Sequence, residues 1–288
     1  MSVTLNTSLT VSGQAGALIT ALRAFLVTGL GWTEPYSTTN ISVFRMPAGT
    51  TGAYLRVDDT GTTSAGLRMY EAMTGHSTGT GPFPTVTQSA ADLQVTKSNS
   101  ASSATRPTVF LSNGKLVHMF VYYSATAYNS CEWVCFGDPN SRKPGDAFHT
   151  YIHCYPAGAG MNLATSANAA ITGHYMARSH TQLGTAINVS KFTDLVRAGS
   201  AAFGNGPVAH PDPISGTVNV SPLWILEPSI GAVRADLPGV WSINDNGQRA
   251  RTQGDTEAGS GALSGRTFMY INLGWSNSQG LIETSNTW

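Results

Sequence analysis

The feature that most narrows what this chain can fold into is its rhythm. Short runs rich in β-branched and aromatic residues alternate with clusters of Gly, Pro, Asn and Asp. Such runs, bounded by turn formers, are the signature of antiparallel strands. The clearest instance is Thr108-Val109-Phe110-Leu111-Ser112, followed by Asn113-Gly114 and then by Lys115 through Tyr123. Asn-Gly supplies the positive φ angles of a two-residue type I′ turn, so the spacing predicts a hairpin. Val240-Trp241-Ser242-Ile243 before Asn246-Gly247 predicts a second. Further strands are expected at 41–45, 53–58, 131–136, 148–155, 217–226 and 266–273.

One segment follows a different period. Ala17, Leu18, Ala21, Leu22, Phe25 and Leu26 recur every three to four residues between a candidate cap at Ser12 and a stop at Gly29. That spacing predicts an amphipathic helix. Its apolar stripe must cover a sheet edge or a neighbouring subunit, which makes Leu18, Leu22 and Phe25 interface candidates. Trp288 is another, because a large aromatic at a chain end often docks on a second surface. The expected fold is therefore mainly β, an antiparallel β-sandwich or barrel-like body with one N-terminal amphipathic helix. Residues 1–35 would form an arm and helix, and 36–288 the β-rich body. A subdivision of the body would fall near 201–216, where Gly204, Gly206, Pro207, Pro211 and Pro213 gather. No repeat of the ~20–50-residue kind that builds propellers and solenoids is present.

Composition decides which partners suit such a body. Charged residues are 11% of the chain, against ~25% in an average globular domain. Sixteen basic residues balance sixteen acidic ones. There is no electrostatic footprint for nucleic acid or for anionic lipid, so neither is expected as a partner. A surface with so little charge does not repel copies of itself, which permits self-assembly. Hydrophobic residues at 41% argue against disorder. Met1 through Asn6 lacks a basic stretch leading into an apolar one, and no apolar run approaches the ~20 residues of a membrane-spanning helix. Synthesis and retention in a cytoplasm are expected. Cys131, Cys135 and Cys154 form an odd, sparse set that reads as reduced thiols rather than a disulfide framework.

Two motifs suggest chemistry, and each has a plainer reading. Cys131-x3-Cys135 with His149-x3-His153-Cys154 offers the ligand types zinc prefers. On strands, however, residues four apart lie ~13 Å from each other, too far for one ion to collect both. Asp59-Thr60-Gly61 matches the aspartic-protease tripeptide, which needs a second carboxylate to share a proton. No second copy occurs, since Asp255-Thr256 is followed by Glu257. No nucleophile elbow, phosphate-binding loop, dinucleotide fingerprint or His-Glu-x-x-His motif is present. A glycan hydrolase would need paired carboxylates, and Asp58, Asp59 and Asp146 are the candidates in an acid-poor chain. Trp133, Trp224, Trp241, Trp275 and Trp288 could form a sugar platform but suit a core or interface better. The expectation is of no enzyme, no resident metal and no cofactor.

Several phrases of the sequence resemble a family of virion proteins of tailed bacteriophages. They are Tyr54-Leu55-Arg56-Val57-Asp58-Asp59, Arg68-Met69-Tyr70-Glu71-Ala72-Met73 and Thr78-Gly79-Thr80-Gly81-Pro82-Phe83-Pro84. Phe136-Gly137-Asp138, Lys143-Pro144-Gly145-Asp146-Ala147, Asp236-Leu237-Pro238-Gly239-Val240-Trp241 and Gly265-Arg266-Thr267-Phe268 continue it. The resemblance implies a structural subunit of the virion whose partners are its own copies and other virion proteins. A tail-associated place (tail tip, baseplate or collar) is favoured, with capsid decoration and host-surface glycan binding as alternatives. As physical phrases these are scaffold. Lys143 to Asp146 is a turn by composition, Pro82 and Pro84 stiffen a loop, and Arg68 and Glu71 are spaced to pair locally.

Overall fold

A computed structural model describes residues 3–123, 131–154, 174–192, 220–243, 254–272 and 279–285. The fold is mainly β, with one short helix and three antiparallel sheets, none of which closes on itself among the described residues. The first sheet runs in the order Thr33–Ser37, Ile41–Arg45, Tyr54–Asp58, Ser64–Met73, Gly79–Phe83, and Leu93–Thr96 also pairs with Ser64–Met73. The central sheet runs Thr4–Asn6, Thr105–Ser112, Leu116–Tyr122, Cys131–Gly137, Tyr151–Cys154, His174–Met176, Ile187–Asn188. The third runs Ser190–Phe192, Val220–Glu227, Ala232–Ile243, Gln279–Glu283, Thr267–Asn272, Thr256–Ala258, and Asn140–Ser141 pairs onto Ala232–Ile243.

The inner strands Leu116–Tyr122, Cys131–Gly137 and Tyr151–Cys154 are buried on both faces, so they read as nearly continuous apolar runs, and alternate residues go to different cores. Phe110, Val117, Met119, Val121, Val134, Phe136 and Ile152 pack with the helix and the first sheet. Their neighbours Leu111, Leu116, Phe120, Trp133, Cys135 and Tyr151 pack with Leu223, Ile225, Leu237, Met269 and Ile282 of the third sheet. The central sheet thus lies between two apolar interiors.

The helix spans Ala17–Leu22 and continues as a π-helical stretch, Arg23–Gly29, a rare form beyond a single turn. Leu18, Leu22 and Phe25 are 0%, 0% and 2% exposed, and Phe25 stacks on Phe110 with ring centroids 4.8 Å apart. They fill the chain's own core, and another molecule could touch them only if the helix left it. The interface expectation for these three gives way to an internal one. Trp288 and the 201–216 boundary lie outside the described residues.

Other expectations also change. The division at 35/36 falls inside Thr33–Ser37, and Thr4–Asn6 and Thr10–Ser12 pair with Thr105–Ser112, so the N-terminal arm is woven into the body. Ser12 does not cap the helix; it is the last residue of a strand. The hairpin at Asn113-Gly114 exists, but four residues separate the pair Ser112↔Val117. Gly114 has φ 89°, whereas Asn113 is not left-handed. Asn113 Oδ1 instead accepts from the amides of Lys115 and Leu116, so its side chain closes the wider turn. Pro82 sits in an edge strand rather than a loop, opposite Tyr70, a place that tolerates its missing N–H. Arg68 pairs with Asp92 and Glu71 with Arg178, not with each other. The hairpin turn at Asn246-Gly247 lies outside the described residues.

Candidate functional site

The suggested metal ligands are dispersed by the strand geometry. Cys131 and Cys135 lie on one strand, Cys135 stands opposite His153, and His149 precedes that strand and faces a surface cleft. Among the described residues no group of three or more His, Cys, Asp or Glu side chains is arranged to hold a metal ion. Burial drives the Cys131 and Cys154 thiols well above their ordinary pKa, which suits inert core residues.

Register lines up a polar row that sequence spacing concealed. His118, Cys135, His153 and His174 are successive cross-strand partners on four adjacent strands of the central sheet. The rings of His153 and His174 stack at 4.0 Å, and Trp133 meets His153 edge-on at 4.9 Å. Trp133 donates its indole N–H to His118 Nδ1 at 3.2 Å. Nδ1 is therefore an acceptor, so Nε2 carries the proton and donates to the carbonyl of Pro238 at 2.8 Å. His118 is held neutral by this arrangement, and burial lowers its pKa to about 4. Tyr151 Oη bonds His174 Nδ1 at 2.7 Å. Of these contacts the bond from His118 to Pro238 joins the central sheet to the third, and His118, Trp133, Tyr151, His153 and His174 are all buried.

Asp59, from the protease-like tripeptide, is also structural. Its Oδ2 accepts from the amides of Leu18 at 2.7 Å and Ile19 at 3.3 Å, which caps the helix in place of a local residue. Its Oδ1 pairs with Lys97, whose ammonium also donates to the carbonyls of Gln14 and Gly61. Both side chains are 0% exposed. Burial pushes the Asp59 carboxyl above its usual range even though Lys97 and the helix amides pull the other way. Gly16, left-handed at φ 79°, turns the chain into the helix below this carboxylate.

Chemistry-bearing side chains also meet solvent in a cleft of about 750 Å³. Three turns build it: Gly49 to Thr51 from the first sheet, Lys115 from the Asn113-Gly114 turn, and residues 138–149 after the strand Cys131–Gly137. Two buried carboxylates fix the cleft in place, Asp138 between two of the turns and Asp146 between its own turn and the third sheet. Asp138 accepts from the Thr51 amide at 2.7 Å, the Thr51 hydroxyl at 2.9 Å and the Thr150 hydroxyl at 2.8 Å, tying the first sheet to the central one. Asp146 accepts from Ser141 at 2.7 Å and from Arg234 of the third sheet, 2.7 Å away. Arg234 also pairs with buried Glu227 at 2.7 Å. Hydrogen bonds from His180, Ser229 and Arg234 outweigh burial and lower the Glu227 pKa. The turn Lys143 to Asp146 forms as its composition suggests, with Gly145 at φ 67°. His149 donates from Nδ1 to the Asp146 carbonyl at 2.6 Å, and its Nε2 faces Asp138 Oδ2 at 3.9 Å. In sequence Lys143 to Asp146 reads as a turn and Phe136 to Asp138 as a scaffold phrase, and neither shows that they share one cleft with Lys115.

Of the tryptophans, Trp133 is buried, Trp241 is half-buried with its indole N–H donated to Glu283 at 3.0 Å, and Trp275 and Trp288 lie outside the described residues. Among the described residues no Phe, Tyr or Trp lines the cleft. No protein-family model and no curated protein sequence matches the chain.

Proposed function

We propose that the chain is a structural subunit of a tailed-bacteriophage virion that acts through protein-protein assembly, in a tail-associated position such as the tail tip, baseplate or collar. The observation that carries this reading is how the chain spends its scarce charges. Asp59, Lys97, Asp138, Asp146, Glu227 and Arg234 are all buried and all bonded between separate segments. Such cross-links make a body that keeps its shape under load and add little charge to a surface meant to meet neighbours. With both faces of the central sheet covered, we read that body as sandwich-like. Its near-neutral composition suits an outer or collar position better than the lining of a DNA passage.

Immunogold labelling of intact particles tests the placement. Gold confined to the tail or collar supports the proposal, and gold over the whole head favours a capsid decoration protein. Purified particles that carry no label, with the protein left in the lysate, would sink the virion reading altogether. The cleft favours a second reading, a module that binds host-surface glycan.

A further inference from the structure

We infer that Lys97 and Asp59 become joined by an intramolecular amide, formed when the Lys97 amine condenses with the Asp59 carboxyl inside the folded chain. The ion pair between them is the reactant state of that step. The inference concerns the chain's own covalent structure and stands or falls independently of any place in a virion.

Strand alternation sets up the meeting. Val57 and Val95 are core residues of two strands, Tyr54–Asp58 and Leu93–Thr96, that both pair with Ser64–Met73. Asp59 and Lys97 stand two positions further along each chain segment, so their side chains turn into the same interior. Each is 0% exposed. Their other bonds decide which atoms face each other. Asp59 Oδ2 accepts from the amides of Leu18 at 2.7 Å and Ile19 at 3.3 Å, and Oδ1 is left to the Lys97 ammonium. The carbonyls of Gln14 at 2.8 Å and Gly61 at 2.9 Å fix that ammonium in place. The fold therefore holds a nucleophile against an acyl carbon, and such positioning makes a difficult bimolecular step an internal one.

The step balances within the pair. A proton passes from Nζ to Oδ1 and gives an amine and an acid, both uncharged. Burial favours that form, and it already raises the Asp59 carboxyl above its usual range. The Nζ lone pair then adds to Cγ, and the negative charge that develops on Oδ2 meets the Leu18 and Ile19 amides. A second Nζ proton moves to Oδ1, the Cγ–Oδ1 bond breaks and water leaves. The amide keeps Oδ2 as its oxygen and one N–H for the carbonyl of Gln14 or Gly61. Its burial away from solvent disfavours hydrolysis back to the pair.

Intact-mass spectrometry of the purified full chain, followed by tandem sequencing of its tryptic peptides, tests the inference. The expected mass is lower than the sequence requires by one water, with the peptides that carry Asp59 and Lys97 recovered as one branched species and no cleavage after Lys97. K97R keeps the positive charge without the amine nucleophile, and it should show the full mass of its own sequence. A wild-type chain at full mass would overturn the inference. So would a one-water deficit with the two peptides unlinked, the mark of an aspartyl succinimide, or a deficit that persists in K97R. The wild-type peptides decide the matter even where K97R fails to fold.

Discussion

The two faces of the central sheet are made from the same strands and solve different problems. Toward the helix and first sheet the strands present Phe110, Val117, Met119, Val134 and Ile152, an interior that needs only the right volume. A buried ion pair, Lys97 with Asp59, lies at its edge and anchors the helix. Toward the third sheet the alternate residues include His118, Trp133, Tyr151 and His174, whose polar atoms must meet particular partners. A one-residue slip of any strand would exchange the two sets. The helix face tolerates variation in shape, whereas the polar face fixes the register.

The largest effect should come from the edge of the helix face. K97M leaves the Asp59 carboxylate buried with no cation, and unfolding in urea should show a loss of about 3–5 kcal/mol. A loss under about 1 kcal/mol would mean that Asp59 takes a proton cheaply and the pair is not the anchor. L22A, under the same helix, should cost about 2–5 kcal/mol with no dependence on pH.

The polar face should instead reveal itself by pH. His118 has a folded pKa of about 4, below the 6.5 of an unperturbed histidine. Above pH 6.5 neither folded nor unfolded state carries that proton, and its contribution to stability is complete. As pH falls from 6.5 toward 4 only the unfolded state binds it, so stability drops by about 3 kcal/mol over that window. H118Q should be less stable than wild type at neutral pH and should lose less on acidification. An acid profile identical to that of wild type would remove His118 from the account.

Parts of this were legible in the sequence. Apolar, β-branched runs identified Ile41–Arg45, Tyr54–Asp58, Cys131–Gly137 and Thr267–Asn272 to within a few residues. Thr33–Ser37 and Gly79–Phe83 were hidden because each carries a proline, which reads against a strand and sits here at a sheet edge. The histidine row was hidden because His118, Cys135, His153 and His174 fall into one line only through register across four strands. The cap on the helix came from Asp59, forty residues beyond it in the chain, so no local signal marked it. The cleft gathers residues 49 to 149 through pairing of sheets, and its phrases individually describe nothing but turns.

The smallest effect marks where the account expects none. Arg142 and Asp236 pair at 2.6 Å with side chains 50% and 39% exposed. R142A should change stability by less than about 1 kcal/mol, and salt should erase the difference. A larger loss would mean that exposed pairs also hold the sheets together, which would blur the contrast between buried cross-links and a quiet surface.

The central claim is that this charge-thrifty, cross-linked body is a part of a tailed virion. A cryo-EM map of the intact particle tests it most directly. The account expects density into which the three sheets fit as one body, at the tail or collar, with neighbouring chains against the weakly charged exterior. A complete particle map in which every density is accounted for by other chains would contradict it.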